Sequence, residues 1–386
     1  MKIVVAPDSF KGNLSAARVC AALAEGIADV DPDAEIVSIP LADGGEGTAR
    51  AITLAAGGEF RKASVTGPLG RRVEAEFGLI RGGAVAVLDM ASASGIELVP
   101  RGALDPMAAT TYGTGELILA ALDAGAREIV LGIGGSATVD GGVGMALALG
   151  FNVLDEAGNP VPLGGAGLAK VASVSRGAAD PRLALTKILV ACDVTNPLLG
   201  PKGAAAVFGP QKGATAATLP LLEAGLARLS EAWKAAGMVT DVERAGDGAA
   251  GGLGAALRAF LKAEMRSGAR TVMEYAAFRD AVSGADLVIT GEGMTDSQTA
   301  GGKLCSVVAE ECRSAGVPVA LISGGLGGTV SALLATYDYA VSTSCGQTSL
   351  EAMIRDSPRD LRFAAANLVR AYTLGAAAGR RSIARR

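Results

Sequence analysis

Five short blocks of this chain bring together the residue types that handle phosphate: Ala6-Pro-Asp-Ser-Phe-Lys-Gly12, Ala42-Asp-Gly-Gly-Glu-Gly-Thr48, Gly132-Ile-Gly-Gly-Ser-Ala-Thr-Val-Asp-Gly-Gly142, Ala191-Cys-Asp-Val-Thr-Asn-Pro197 and Thr290-Gly-Glu-Gly-Met-Thr-Asp296. Each follows an apolar run of strand length. Glycine lets backbone N–H groups approach an anion closely, and Asp, Glu and Lys at the same places offer metal ligands, proton acceptors and a cation. The blocks predict a polar crevice at strand ends and an enzyme that handles phosphate.

Within the third block, Gly134, Gly135, Ser136, Thr138 and Asp140 form a wide anion-binding loop, with a helix expected to start near Gly142. The same segment loosely matches a dinucleotide fingerprint, with Asp155 about 20 residues beyond the first glycine. A nicotinamide-dependent oxidoreductase is therefore a competing reading. Three extra glycines across Thr138–Gly144 argue against it, because each costs a helix about 1 kcal/mol relative to alanine. In the last block, Gly291 and Gly293 flank Glu292. With Asp296 and the following Lys303 they suit Mg²⁺ and phosphate, although the spacing is not that of a Walker A loop.

Asp193 ends another strand, where a carboxylate can take a proton from a substrate hydroxyl or hold a metal. Asp43, with Gly44 and Gly45, and the pair Asp8 and Lys11 occupy equivalent turns. Turn capping is the competing role for each acid alone. Lys212, in Gln211-Lys212-Gly213, is a further phosphate cation or an ordinary exposed lysine.

Absences exclude as much. The 386 residues contain no histidine, so imidazole bases, Ser-His-Asp catalysis and His-ligated metals are out. A formal net charge of -4 and 4% aromatic residues leave neither the basic field nor the stacking platforms of a nucleic-acid binder. Apolar runs are short, so no membrane span is expected, and no secretory leader is read at the N-terminus. A cytoplasmic protein with a small-molecule substrate is expected. Cys20, Cys192, Cys305, Cys312 and Cys345 lack Cys-x-x-Cys spacing and read as reduced, mostly buried thiols.

The elements that must position these residues alternate between strand and helix. Strands are expected at 2–6, 35–40, 128–133, 187–191, 286–290, 317–322 and 339–341. Helices are expected at 15–28 with Ser15 as cap, 47–56, a segment capped by Thr114, 219–236, 303–315 and 367–378, with a frayed basic tail over 380–386. Between Val65 and Ile96, breaks at Gly-Pro and Gly-Gly suit hairpins instead. The expected fold class is α/β. A parallel-sheet domain of flavodoxin or Rossmann type is built from residues 1–64 and 285–386, with a mixed α/β domain inserted over 65–284. Because both domains supply loops, a cleft that closes to exclude water is the expected site.

Taken together, the five blocks with Thr111-Tyr-Gly-Thr-Gly-Glu-Leu-Ile118, Phe208-Gly-Pro-Gln-Lys-Gly-Ala214 and Gly248-Ala-Ala-Gly-Gly-Leu-Gly-Ala255 resemble the bacterial type I glycerate kinase family along nearly the whole chain. The resemblance implies ATP- and Mg²⁺-dependent phosphorylation of D-glycerate, typically to 2-phosphoglycerate, in organic-acid catabolism. On it, Asp193, Lys11 and Asp8 are the catalytic candidates, and Asp193, Glu292 and Asp296 the metal ligands. A homodimer is one assembly it allows. A kinase of a related hydroxy acid and a non-catalytic sensor of a phosphorylated metabolite remain as alternatives.

The chain departs from the family pattern at Met294 and Leu104, where arginine is usual, and at Val139, where asparagine is common. A missing arginine removes a charge-assisted hydrogen bond to an anion. Met294→Arg is expected to lower the KM for glycerate or ATP about tenfold, the equivalent of about 1.4 kcal/mol. Steady-state kinetics with both constants unchanged would place position 294 outside the anion contacts.

Overall fold

The structure is a computed structural model that describes residues 1–45, 47–295, 304–327, 330–344, 346 and 349–383. In chain order its strands are β1 (Lys2–Val5), β2 (Glu35–Ser38), β3 (Glu59–Thr66), β4 (Arg72–Ile80), β5 (Val85–Asp89), β6 (Glu128–Gly132), β7 (Asn152–Leu154), β8 (Ser173–Ser175), β9 (Lys187–Ala191), β10 (Glu264–Arg266), β11 (Leu287–Thr290), β12 (Met294–Thr295), β13 (Val319–Ser323), β14 (Gly325–Leu326) and β15 (Tyr339–Ser342).

The chain divides into two compact units, Met1–Ala42 with Val272–Arg386, and Asp43–Thr271. These boundaries differ from the expected 64/65 and 284/285. Residues 59–66 go with the second unit because β3 pairs antiparallel with β4 along its full length. Residues before 285 go with the first because helix Phe278–Val282 is tied to helix Leu304–Ala315 by an Arg279–Glu311 ion pair at 2.8 Å.

The first unit carries a five-stranded sheet in the order β15-β13-β11-β1-β2, all parallel. This is the flavodoxin-like arrangement, whose strand order reverses between β1 and β11. Near-continuous apolar strands are what a sheet covered on both faces requires, and Ile3, Val5, Ile289, Ala320 and Ile322 are all buried. Helix Ala16–Ala28 covers them with Val19, Leu23 and Ile27. Ser15 takes its N-cap position without a side-chain cap bond. The last helix begins at Leu350, well before the expected 367, and runs to Ile383 with Pro358 inside it. Its start is charged, yet Leu361, Ala365, Leu368 and Val369 form a buried stripe at helical spacing.

The second unit is built on a six-stranded sheet, β10-β9-β6-β5-β4-β3. β5, β6, β9 and β10 are parallel, while β3, β4 and β5 form the antiparallel meander that the glycine breaks predicted. Its core centres on the fully buried Trp233, whose ring meets Phe260 edge-on at 6.0 Å, with Phe260 in turn 4.9 Å from Phe151. Helix Tyr112–Asp123 has Thr111 at its N-cap position, not Thr114. Thr114 lies inside the first turn and donates its hydroxyl to Ser94 Oγ at 2.9 Å. No helix among the described residues is long and apolar enough to cross a membrane.

In the first unit, helix Ala16–Ala28 and the last helix touch backbone to side: a Cβ on Gly26 would stand 2.1 Å from the Arg362 carbonyl oxygen. The Arg362 guanidinium bonds Asp29 at 2.6 Å and Glu25 at 3.1 Å beside that contact. Gly26→Ala is expected to cost about 1–3 kcal/mol by overpacking. A urea midpoint followed by circular dichroism should fall; no change would mean that the helices separate freely.

Candidate functional site

In the second unit the parallel strands deliver their chemistry at their carboxyl ends. β5 ends on Asp89, β6 on Gly132, β9 two residues before Asp193, and β10 one residue before Ser267. The Asp43–Gly45 loop lies directly on these ends. A Cβ on Gly44 would be 2.8 Å from the Ala191 carbonyl oxygen, and a Cβ on Gly134 only 2.5 Å from Gly45 Cα. The Gly134 N–H donates to the Gly44 carbonyl at 3.4 Å. Asp89 ties the loop down from below, its carboxylate accepting the N–H groups of Gly47 at 2.9 Å and Ala49 at 3.0 Å, at the start of helix Thr48–Ala55. Sequence reasoning passed over Asp89. The signal was there, an acid closing the apolar run Val85–Leu88 as Asp193 follows Lys187–Ala191.

Asp193 is held by two backbone donors, Gly268 at 3.0 Å and Ala269 at 3.1 Å. Burial raises its pKa above the ordinary aspartate value; bonds from Ala269, Ser267 and Gly268 oppose this, and the charge of Asp43 adds to the rise. Asp43 itself accepts the Gly45 N–H at 3.1 Å. Two carboxylates in each other's field are an arrangement that a divalent cation relieves. Among the described residues no three His, Cys, Asp or Glu side chains form a metal-holding group. That donor set fits Mg²⁺, which commonly takes one or two carboxylates and completes its shell with water and phosphate oxygens.

Lys212 is not an exposed lysine. It ends the turn Pro210–Lys212 with 2% of its surface accessible, and its Nζ donates to Ser136 Oγ at 2.7 Å and to the Thr138 carbonyl at 2.8 Å. Burial brings its pKa down to about 7, against the pull of Asp140. Asp140 is buried too, and it accepts the Thr111 N–H and hydroxyl, both at 2.8 Å, and the N–H groups of Gly142 at 3.1 Å and Gly144 at 3.2 Å. Burial raises its pKa while these four bonds oppose the rise. The carboxylate expected at a phosphate instead faces the start of helix Val143–Ala148, which follows Gly142 as anticipated.

The dinucleotide reading loses its acid. Asp155 follows β7, which pairs antiparallel with β8 in a separate two-stranded ribbon, and its Oδ1 accepts the N–H groups of Ala157 at 3.0 Å and Asn159 at 2.8 Å. It caps a turn, away from any parallel strand.

In the first unit, the loops after β1 and β11 flank the point where the strand order reverses. Asp8 is nearly buried, donates its N–H to the Gly291 carbonyl at 2.8 Å, and accepts the Ser9 N–H at 2.6 Å. Glu292 accepts the Thr295 hydroxyl at 3.0 Å on Oε1 and the Ser323 hydroxyl at 3.0 Å on its carbonyl. Burial, then the charges of Glu292 and Asp8, push the Cys305 thiol well up, so that cysteine stays protonated. Lys11 is exposed in the turn between Phe10 and Leu14, and Gly293 packs on Phe10. Met294 is 54% exposed. Asp296 and Lys303 lie outside the described residues, as do Glu46 and Cys345. Cys20, Cys305 and Cys312 are buried free thiols and Cys192 is half-buried.

Residues 3–373 match the model of the Glycerate kinase family. The chain belongs to that family. It is 48% identical over 326 residues to the Glycerate kinase of Bacillus subtilis (strain 168), covering 84% of this chain and 85% of that one. It is also 48% identical over 326 residues to the Glycerate 2-kinase of Escherichia coli (strain K12), covering 84% and 86%. A crystal structure assigned as a glycerate kinase 2 from Salmonella typhimurium LT2 superposes with a TM-score of 0.86 at 44% identity, covering 97% of this chain and 99% of that one. Membership makes the chain a phosphotransferase, and its fold class is the α/β class expected from the sequence.

In a phosphotransferase the raised proton affinity of Asp193 carries a pH signature. In the window just above 3.8 the folded protein holds this proton longer than the unfolded chain does, so Asp193 makes the fold less stable as pH rises through that window. Asp43→Asn removes one cause of the shift. Its stability relative to the parent is expected to grow between pH 4 and 7 in urea titrations, and an unchanged difference would show that the Asp43 charge does not reach Asp193.

Proposed function

We propose that the chain transfers the γ-phosphoryl group of ATP to a hydroxyl of D-glycerate and releases 2-phosphoglycerate, with Mg²⁺ as the metal. The observation that carries the reading is Asp193. It is a carboxylate held by Gly268 and Ala269, with raised proton affinity and a second acid, Asp43, in its field. The family's relatives in Bacillus subtilis and Escherichia coli support glycerate as acceptor.

Phosphoryl transfer asks a protein mainly for positioning and for balancing charge. Mg²⁺, when bound, neutralises charge on the transferring phosphate, and Asp43 and Asp193 would hold it. Asp193 also takes the proton from the attacking hydroxyl as its oxygen bonds to phosphorus, a task for which a raised pKa suits a carboxylate. The backbone of Gly134 and Gly135, fixed by Gly45 on one side, provides a close approach for an anion. In the first unit, Gly291 and Gly293 with Lys11 at the strand-order reversal suit nucleotide phosphates, with Asp8 and Glu292 as neighbouring acids.

The test is ADP release from ATP and D-glycerate, with and without Mg²⁺, followed by phosphorus NMR of the product. Asp193→Asn keeps the size and removes the charge, and its turnover is expected to fall by about 10²–10⁴-fold with the fold intact by circular dichroism. Near-normal turnover would eliminate the role. Reduction of NAD by glycerate without ADP release would replace the whole reading.

A further inference from the structure

We infer that Lys212 is a positioning residue: its buried amino group clamps the glycine loop Gly134–Thr138 in the one conformation that supports the Asp43–Gly45 loop. The inference rests on the function proposed above, because it assigns the clamped loop to substrate binding.

The geometry is a chain of contacts within the second unit. Lys212 Nζ reaches one side-chain oxygen, Ser136 Oγ at 2.7 Å, and one backbone oxygen, Thr138 at 2.8 Å, so it grips two places on the same loop. The opposite edge of that loop is fixed by backbone bonds, from Ile96 N–H to the Gly135 carbonyl at 2.8 Å and from Ala137 N–H to the Ser94 carbonyl at 3.0 Å. Asp140, the charged group that faces Lys212, anchors the far end through Thr111, Gly142 and Gly144. The near end, at Gly134, bears on Gly45. A shift at Ser136 therefore passes to the loop that carries Asp43.

Packing alone does not account for a lysine here. Taking an amino group out of water is unfavourable, and an apolar side chain of similar length would fill the same space without that cost. What lysine adds is donors, two of which are used on the loop. A fully buried Nζ already bonded to Ser136 and Thr138 acts through the loop rather than as a direct phosphate ligand, which revises the role expected for it from sequence.

The experiment compares the full chain with Lys212→Met, Lys212→Gln and Ser136→Ala by hydrogen exchange and by steady-state kinetics with ATP, Mg²⁺ and D-glycerate. Exchange over 132–140 is expected to quicken about tenfold or more in Lys212→Met, while helix Leu219–Ala235 is unchanged. The value of kcat/KM should fall by about 10²-fold, the size of a misplacement of about 1 Å. Lys212→Gln, which keeps two donors, should recover part of both. Lys212→Met combined with Ser136→Ala should be no worse than Lys212→Met alone if the lysine acts through that hydroxyl. Unchanged exchange over 132–140 would overturn the inference, as would equal quickening of helix Leu219–Ala235 in every variant. A parent protein that exchanges as expected but does not phosphorylate glycerate would sink the proposed function and leave the clamp standing.

Discussion

The near-contact of Gly134 with Gly45 is the constraint on which the second unit's site depends. No side chain fits between these two backbones, since even a Cβ would stand 2.5 Å from the opposing Cα. Strand β6 can therefore place its loop directly under the loop that carries Asp43, and the strands on either side can bring Asp89 and Asp193 to the same edge. Alanine at Gly134 would force the loops apart.

Around that contact the site trades stability for charge. The charge of Asp43 adds to the cost of ionising Asp193, and the bonds that Gly268 and Ala269 donate to Asp193 offset only part of it. Asp89 and Asp140 are acids of a different kind, each surrounded by N–H donors at the start of a helix, where an anion stabilises the exposed donors and the helix dipole. These four aspartates thus divide into two that hold helix starts and two whose charges face each other.

Much of this was legible from local sequence. Alternation of apolar runs with glycine-rich turns predicts the parallel strands, and the breaks between Val65 and Ile96 predict the meander, because each depends on residues close in the chain. The last helix was half missed, since its first turns are charged and contain Pro358, while Leu361 and Ala365 bury in a core shared with helix Ala16–Ala28, far away in the chain. The compact units have other bounds than expected for the same reason: β3 has no local mark that tells which sheet it joins, and its pairing with β4 decides the matter.

By itself the sequence determined the residue chemistry: no imidazole, acids and glycines at strand ends, and motifs specific enough to assign the family. Tertiary structure decided which of those acids face solvent and which face the protein. Asp140 and Asp193 look alike in sequence, each an acid in a glycine- or turn-rich block after a strand, and Lys212 reads there as either a phosphate cation or an exposed lysine. Burial and hydrogen-bond partners come from segments far along the chain, Thr111 for Asp140, Gly268 for Asp193 and Ser136 for Lys212. Roles that are set by desolvation and by donors brought in from elsewhere cannot be written in the residues on either side.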